Sequence, residues 1–113
     1  MPYIQTTTNV TIPSEKEKVI KARMGQAIAL IPGKSETWLM LSFQGEASMY
    51  FQGSDKPCAI CCVKLYGRGT DAAYEKLTGA LTDILREELG LSPDRVYVTY
   101  EEISTWGWNG GNL

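Results

Sequence analysis

The sequence contains no histidine, and this absence excludes several kinds of active site. A Ser-His-Asp triad, a Cys-His pair and a histidine-rich metal site all require an imidazole ring. Any general base must therefore be a carboxylate, a lysine, a thiolate, a tyrosine or the α-amino group of the chain. Cysteine is scarce too. Three thiols cannot all pair in disulfides within one chain, so we expect a reduced, cytoplasmic protein.

A strong excess of one charge and long apolar runs are also missing. The 11 basic and 13 acidic residues give a net charge of −2, which argues against a nucleic-acid partner. No stretch approaches about 18 consecutive apolar residues, so we expect no membrane span. Residues 1–5 lack the basic and apolar regions of a secretory signal. A chain of 113 residues with 43% hydrophobic residues predicts a single domain over 1–113.

Apolar spacing predicts two helices and several strands. The first helix begins at a capping box formed by Ser14 and Glu17 and ends at Pro32-Gly33. The second covers about 71–89, with Gly90 just beyond its end. Strands are predicted in residues 3–9, 37–43, 58–66 and 95–103, with a short hairpin arm at 49–52.

The order of these elements is β-α-β, a short β, and β-α-β again. Each helical crossover is long enough to leave its two strands parallel. We therefore predict an α+β fold with a four-stranded sheet and both helices on one face. The strands read as apolar on both faces, so we expect oligomerisation through the uncovered face of the sheet.

Pro2 is the first candidate for chemistry. The initiator methionine is usually removed before a small residue such as proline, which would leave a secondary amine. An α-amine has a pKa of about 7.7–8.0, and burial in an apolar site lowers it. Met1-Pro2 alone, however, fits an ordinary chain end better than a catalytic base. Lys34 is open to two interpretations as well. It could interact favourably with the dipole at the end of the helix, or it could bind a carboxylate.

Cys58 and Cys61 form a CxxC motif that Cys62 follows. A redox CxxC normally begins a helix, whereas this one enters an apolar strand, where a period of two points Cys58 and Cys61 to opposite faces. We interpret them as buried structural cysteines, in preference to a disulfide or a metal site. The aromatic side chains that could line a pocket for a flat ligand are Tyr3, Trp38, Tyr66, Tyr97, Trp106 and Trp108.

Several segments, taken together, resemble the tautomerase superfamily and, within it, the macrophage migration inhibitory factor family. They occur in family order over the whole chain. They are Met1-Pro2, Thr8-Asn9-Val10, Gly33-Lys34, Gly53-Ser54 with Pro57-Cys58-Ala59-Ile60-Cys61, Ser92-Pro93-Asp94-Arg95-Val96-Tyr97, and Gly107-Trp108-Asn109-Gly110.

The resemblance implies a homotrimer whose three sheets line a central barrel, and keto–enol tautomerase activity on phenylpyruvate-like α-keto acids without metal or cofactor. Pro2 would be the general base, Lys34 would hold the substrate carboxylate, and Tyr97 would reach in from a neighbouring subunit. The resemblance leaves secretion by a non-classical route open as an alternative to the cytoplasm, since the family's secreted members also lack a signal peptide. The backbone around Lys64, Leu65 and Tyr66 would line the same pocket. The substrate-binding set expected on this basis is Tyr3, Trp38, Lys64, Leu65, Tyr66, Tyr97, Thr99, Trp106, Trp108 and Leu113.

Several pocket positions depart from the animal cytokine pattern. Tyr66 and Trp106 are larger than the usual isoleucine and valine, so we expect a narrower pocket that disfavours bulky 4-substituted aromatic ligands. The other departures are Trp38 for tyrosine, Lys64 for histidine, Thr99 for asparagine, and Leu113 near the usual phenylalanine.

Three functions stay open on the sequence alone. The first is a phenylpyruvate-type tautomerase, which the presence of both Pro2 and Lys34 favours. The second is a cytokine-like binding protein that engages a receptor and keeps the pocket as a relic. The third is a thiol oxidoreductase that uses Cys58 and Cys61.

Overall fold

Two β-α-β units make up the structure, a computed structural model that describes residues 1–113. The first unit consists of β1 (Pro2–Thr8), α1 (Ser14–Ala27) and β2 (Met40–Gln44). The second consists of β3 (Ala59–Tyr66), α2 (Asp71–Leu89) and β4 (Val96–Ile103). A small hairpin of β5 (Gly107–Trp108) and β6 (Gly111–Asn112) follows, and single 3-10 turns cover Ile28–Leu30, Glu36–Trp38 and Pro93–Arg95.

The main sheet has four strands in the order β2-β1-β3-β4, which confirms the predicted architecture. Strands are parallel within each unit, and β1 pairs antiparallel with β3 where the units meet. Both helices cover one face of the sheet. The core lies between the helices and the sheet. It includes Ile4, Val63 and Leu65 from the strands and Ile20 and Leu81 from the helices.

Helix α2 matches its prediction residue for residue because both ends carry strong signals. The Thr70 hydroxyl accepts a 3.1 Å hydrogen bond from the N–H of Ala73, which satisfies one free donor of the first turn. Gly90, at a φ of 71°, ends the helix in the left-handed conformation that glycine adopts without strain. No helix combines the length and the hydrophobicity needed to cross a bilayer.

The predicted capping box of α1 is wrong. Pro13 takes the cap position in an extended conformation, and no side chain bonds to the helix end. Ser14 is already helical, so its hydroxyl is not placed to accept the N–H of Glu17, which bonds to the Pro13 carbonyl at 2.9 Å instead. The regular helix also ends at Ala27 and continues to Leu30 only as a tighter turn.

Two strand predictions also need correction. Residues 36–38 form a 3-10 turn, and β2 begins only at Met40. The expected hairpin arm at 49–52 is reduced to one bridge between Phe51 and Ser54. Arg95 explains the irregular loop, because its guanidinium donates hydrogen bonds to four loop carbonyls, those of Phe51, Ser54, Lys56 and Pro57.

The face of the sheet without helices is mixed in polarity, which contradicts the expectation that both faces are apolar. In β3, buried Ala59, Cys61, Val63 and Leu65 alternate with more exposed residues that point to the open face. That face carries an ion pair between Lys64 and Glu101, with 3.9 Å between the charged groups. The polarity of the strands therefore gives no reason by itself for an oligomer, and the trimer stays a prediction.

Candidate active site

Pro2 lies at the end of the sheet where β1 begins and β3 ends. It pairs with Leu65 across the antiparallel ladder, and its side chain is buried. Proline suits the first position of a strand because it has no N–H to offer the ladder. The preceding carbonyl, that of Met1, accepts a 3.0 Å hydrogen bond from the N–H of Tyr66. Removal of Met1 would thus place a free amine at this point and free the Tyr66 donor.

Lys34 reaches the same place from the end of the first helix. Gly33, at a φ of 82°, turns the chain, and the Lys34 N–H bonds to the Ile31 carbonyl at 3.1 Å. The Lys34 ammonium then donates a 2.9 Å hydrogen bond to the carbonyl oxygen of Tyr66. Burial, followed by the charge and the hydrogen bond of Lys34, lowers the pKa of the Met1 amine below its ordinary value. A cation and a chain terminus therefore meet beside the end of β3.

An aromatic cavity of about 690 Å³ opens beside Pro2. This volume lies within the range of about 300–1,000 Å³ typical of small-molecule sites. Trp38 and Trp108 meet edge to face, with 5.1 Å between ring centroids and an interplanar angle of 89°. The fold brings together five of the predicted site residues in the cavity lining: Pro2, Tyr3, Trp38, Trp106 and Trp108.

The terminal hairpin is what carries Trp108 to Trp38. Asn109 and Gly110 make its turn at φ values of 54° and 81°, the left-handed pair that a two-residue hairpin turn requires. The N–H of Leu113 closes the hairpin on the Trp106 carbonyl at 2.9 Å. The glycine-rich end of the sequence is therefore ordered and forms part of the pocket wall.

Sequence reasoning missed several residues of the cavity. Met40 stands opposite Tyr3 in the β1–β2 ladder, lines the cavity and is 67% exposed. The Tyr3 hydroxyl bonds to the Ser42 hydroxyl at 2.7 Å and so fixes the tyrosine ring on the open face. The alternation of β2 could have indicated Met40, but only with the β1–β2 register known. The other cavity residues not foreseen are Met1, Thr37, Leu39 and Gly107.

Other predicted site residues do not line this cavity. The Leu65 side chain is in the core, so only its backbone lies near Pro2. Lys64 and Thr99 lie in the strands β3 and β4, where Lys64 pairs with Glu101 and Thr99 faces Cys62 in the ladder. The side chains of Tyr66 and Leu113 are likewise absent from the cavity lining. Lys34 is absent from it too, because its ammonium is directed to the Tyr66 carbonyl.

Tyr97 is at the opposite end of the sheet from Pro2. It pairs with Ile60, and its ring packs on Phe51 with 4.7 Å between centroids. There it lines a separate cavity of about 150 Å³ and is 57% exposed. Within one chain, therefore, Tyr97 does not contribute to the pocket at Pro2, and only another copy could bring it there.

Cys58 and Cys61 are buried, in line with their interpretation as structural residues. All three cysteines are free thiols. Burial raises the pKa of the Cys61 thiol to about 11, although a 3.5 Å contact with the Thr6 hydroxyl acts in the opposite sense. A thiol that stays protonated is a poor nucleophile. No group of three or more His, Cys, Asp or Glu side chains is arranged to hold a metal ion.

Two β-α-β units in one sheet, backed by two helices and with a proline at the first strand's start, define a protein of the tautomerase fold. The sequence profile of the macrophage migration inhibitory factor family matches residues 1–113. The chain belongs to this family.

Individual relatives agree with this assignment. The macrophage migration inhibitory factor of Meriones unguiculatus is 30% identical over 115 aligned residues, which cover 100% of this chain and 99% of that protein. The crystal structure of Leishmania major MIF2 superposes with a TM-score of 0.93 at 29% identity, covering 100% of this chain and 97% of that one. The macrophage migration inhibitory factor of Toxoplasma gondii shares the fold, with a TM-score of 0.86 at 22% identity over 98% of this chain and 99% of that one.

Proposed function

We propose that this chain catalyses keto–enol tautomerisation of aromatic α-keto acids of the phenylpyruvate type. The base is the amine of Pro2, exposed by removal of Met1. One observation carries the proposal: Pro2, the Lys34 ammonium and the backbone of Tyr66 meet beside an aromatic cavity. Family membership supports tautomerase chemistry in general, and the site suggests the class of substrate.

The environment of Pro2 suits a base that works near neutral pH. The same burial and the same Lys34 charge that lower the pKa of the Met1 amine act one residue further in on a Pro2 amine. A larger share of the amine is then neutral, and only the neutral form accepts a proton. In a chain without histidine, such an amine can supply the general base.

The carboxylate of the substrate has two donors available. Lys34 already directs its ammonium to the Tyr66 carbonyl, and the Tyr66 N–H loses its partner when Met1 leaves. An ammonium and a backbone N–H on one side of the site match the two oxygens of a carboxylate. The substrate ring would then lie in the cavity against Trp38, Trp106 and Trp108.

The proton transfer follows from this placement. The neutral Pro2 amine takes a proton from the carbon next to the ketone, and the C–H electron pair becomes the C=C bond of an enolate. The resulting prolinium returns a proton to the enolate oxygen, which gives the enol and regenerates the amine. The nearby Lys34 charge stabilises the negative charge of the intermediate. The reverse sequence converts enol to ketone.

We also propose a homotrimer in which Tyr97 completes a neighbour's pocket. Strands β2 and β4 are the edges of the sheet, so each has backbone groups free to pair with another copy. Tyr97 is exposed and distant from the Pro2 of its own chain. A neighbour placed against this end of the sheet gives the ring a role that one chain cannot.

A variant series tests the proposal against the two other functions. The processed protein should convert enol to keto phenylpyruvate, Pro2→Gly should lose this activity, and the exposed proline control Pro13→Ala should keep it. Mass spectrometry of the N-terminus must show that Met1 is absent. Full activity in Pro2→Gly would contradict the proposal. A thiol oxidoreductase activity that is lost in the Cys58→Ser, Cys61→Ser double variant would support the thiol oxidoreductase. Receptor binding without any tautomerase activity would support the cytokine-like protein.

A further inference from the structure

A hydrogen-bonded cluster at the start of α2 has no part in the proton transfer described above. The Glu102 carboxylate accepts a 2.6 Å bond from the Tyr74 hydroxyl and a 3.0 Å bond from the Gly69 N–H. The same N–H also lies 2.9 Å from the Tyr74 oxygen. The Tyr74 ring stacks on Tyr100 with 4.4 Å between centroids, so the hydroxyl is held in place. These groups join strand β4, helix α2 and the loop between β3 and α2.

Gly69 fits this cluster only because it has no side chain. A Cβ at this position would lie 2.6 Å from the nearest atom of the Tyr74 ring, closer than such atoms approach. The other end of the loop is fixed at Gly67, whose N–H donates a 3.0 Å bond to the Ile103 carbonyl. The loop from 67 to 70 is therefore tied at two points to the end of β4.

The attachment at Gly67 is part of the candidate active site. The carbonyl of Tyr66 and the N–H of Gly67 belong to one planar peptide group, so they turn together. The carbonyl side receives the Lys34 ammonium at 2.9 Å, and the N–H side is bonded to Ile103. A rotation of this peptide would direct the carbonyl away from Lys34.

We propose that Glu102 and Tyr74 are positioning residues, which hold the loop after β3 so that the Tyr66–Gly67 peptide directs Lys34 towards the substrate carboxylate. The inference rests on the proposed function. Glu102 suits the role because the bond from Tyr74, followed by that from Gly69, holds the pKa of its carboxyl below the usual range. The carboxylate is thus ionised at neutral pH and can accept both bonds at once.

Substitutions that keep the packing test the role of the hydrogen bonds. Tyr74→Phe keeps the ring stacked on Tyr100 but removes the hydroxyl, and Glu102→Ala removes the acceptor. Each should raise the KM for phenylpyruvate about tenfold and lower kcat by a smaller factor, because Lys34 contacts the carboxylate in ground and transition state alike and also stabilises the enolate. Glu102→Gln keeps an acceptor oxygen and should recover most of the loss. Glu75→Ala, an exposed residue beside Tyr74, is the matched control.

A double-variant comparison shows whether the effect runs through Lys34. In a Lys34→Ala background, Tyr74→Phe should cause no further rise in KM, since the group it positions is gone. Independent, multiplying effects would overturn the proposal, and so would an unchanged KM in both single variants.

A second measurement does not depend on catalysis. In Glu102→Ala, the amides of Gly67 and Gly69 should exchange with solvent faster and the Lys34 ammonium signal should shift in nitrogen NMR, while core amides such as Leu81 stay protected. A wild-type protein without tautomerase activity would contradict the proposed function alone. Unchanged exchange and an unchanged Lys34 signal would contradict the positioning role, whatever the activity.

Discussion

The ammonium of Lys34 lies 2.9 Å from the carbonyl oxygen of Tyr66, so a side chain of the first β-α-β unit is fixed by the backbone of the second. The two units are joined by the antiparallel pairing of β1 with β3 and by contacts between α1 and α2 such as the ion pair of Arg23 with Glu88. The candidate site therefore exists only when the two units dock in this register. Neither unit alone contains the arrangement of proline, cation and peptide donor.

Loss of the Lys34 cation should weaken the use of carboxylate substrates. A charge-assisted contact contributes about 1.5–3 kcal/mol, so Lys34→Ala should lower kcat/KM for phenylpyruvate by about ten- to a hundredfold. Lys21→Ala removes an exposed lysine that pairs only with Glu36 and should leave the rate unchanged. Steady-state kinetics on both variants decide the matter. Equal effects would show that the loss is one of general charge rather than of a specific contact.

The pH dependence of the rate should report the Pro2 amine. Burial and the Lys34 charge lower the pKa of the Met1 amine, and we expect the same influences on a Pro2 amine. The rate should then rise with pH through a pKa below the ordinary range of an α-amine, about 7.7–8.0. Insertion of alanine between Met1 and Pro2 turns the proline nitrogen into an amide. It should abolish the activity and, with it, the rise of the rate with pH. An insertion variant with full activity would rule out Pro2 as the base.

Trp106, rather than Tyr66, should set the width of the pocket. Both were expected to narrow it, but only Trp106 lines the cavity. Trp106→Val should therefore improve the binding of bulky 4-substituted aromatic acids relative to phenylpyruvate, while Tyr66→Ile should change little. Competition assays with a series of ligands of increasing size measure this. Bulky ligands that already bind the unchanged protein as tightly as phenylpyruvate would disprove the narrowing.

The three thiols should differ in reactivity. The pKa of Cys61 is raised to about 11, so its thiolate becomes abundant only as the pH approaches that value. At pH near 8 a thiol reagent should modify the partly exposed Cys62 first and leave Cys61 intact until the protein unfolds. Mass spectrometry of timed samples, with Cys62→Ser as the control, gives the order. Early modification of Cys61 would contradict its buried position.

The oligomeric state can be measured directly. We expect a stable trimer at micromolar concentration, because the two edge strands and the exposed Tyr97 end of the sheet offer surfaces to a neighbour. Sedimentation equilibrium distinguishes a trimer from a monomer of 12.5 kDa. If the protein is a monomer, Tyr97→Phe should have no effect on activity, since the ring cannot reach a pocket.

Local signals explain what the sequence alone could predict of the fold. Helix α2 carries a capping threonine, an apolar stripe and a terminal glycine, and all three agree with the structure. Helix α1 has a serine and a glutamate at capping-box spacing, but Pro13 occupies the cap one residue earlier and the pattern misleads. The loop at 49–57 is shaped by Arg95, a residue far along the chain, and so gave no local signal.

The site divides in the same way. Pro2 and Lys34 could be named as candidates from local features, a chain terminus and a helix end, but only the family resemblance favoured their functional interpretation. Whether the Leu65 side chain points into the core depends on the register of β3 against β1. The distance of Tyr97 from Pro2 depends on how β4 is aligned with β3. Those relations join residues that are distant in sequence. Family resemblance suggests a role for Tyr97, but a single chain cannot display it.

The terminal hairpin, which forms part of the pocket wall, is expected to open at a lower free energy than the rest of the fold. Strands β5 and β6 pair only with each other and lie outside the four-stranded sheet, so their opening breaks few backbone bonds. Segments held in this way open locally at a lower free energy than the whole fold. We therefore expect Trp106 and Trp108 to move away from Pro2 more readily than the sheet or either helix unfolds, once the contact between Trp108 and Trp38 is broken. If the proposed substrate enters beside Pro2, residues 106–113 would then set the rates of its entry and release, and substitutions there would leave the core unchanged.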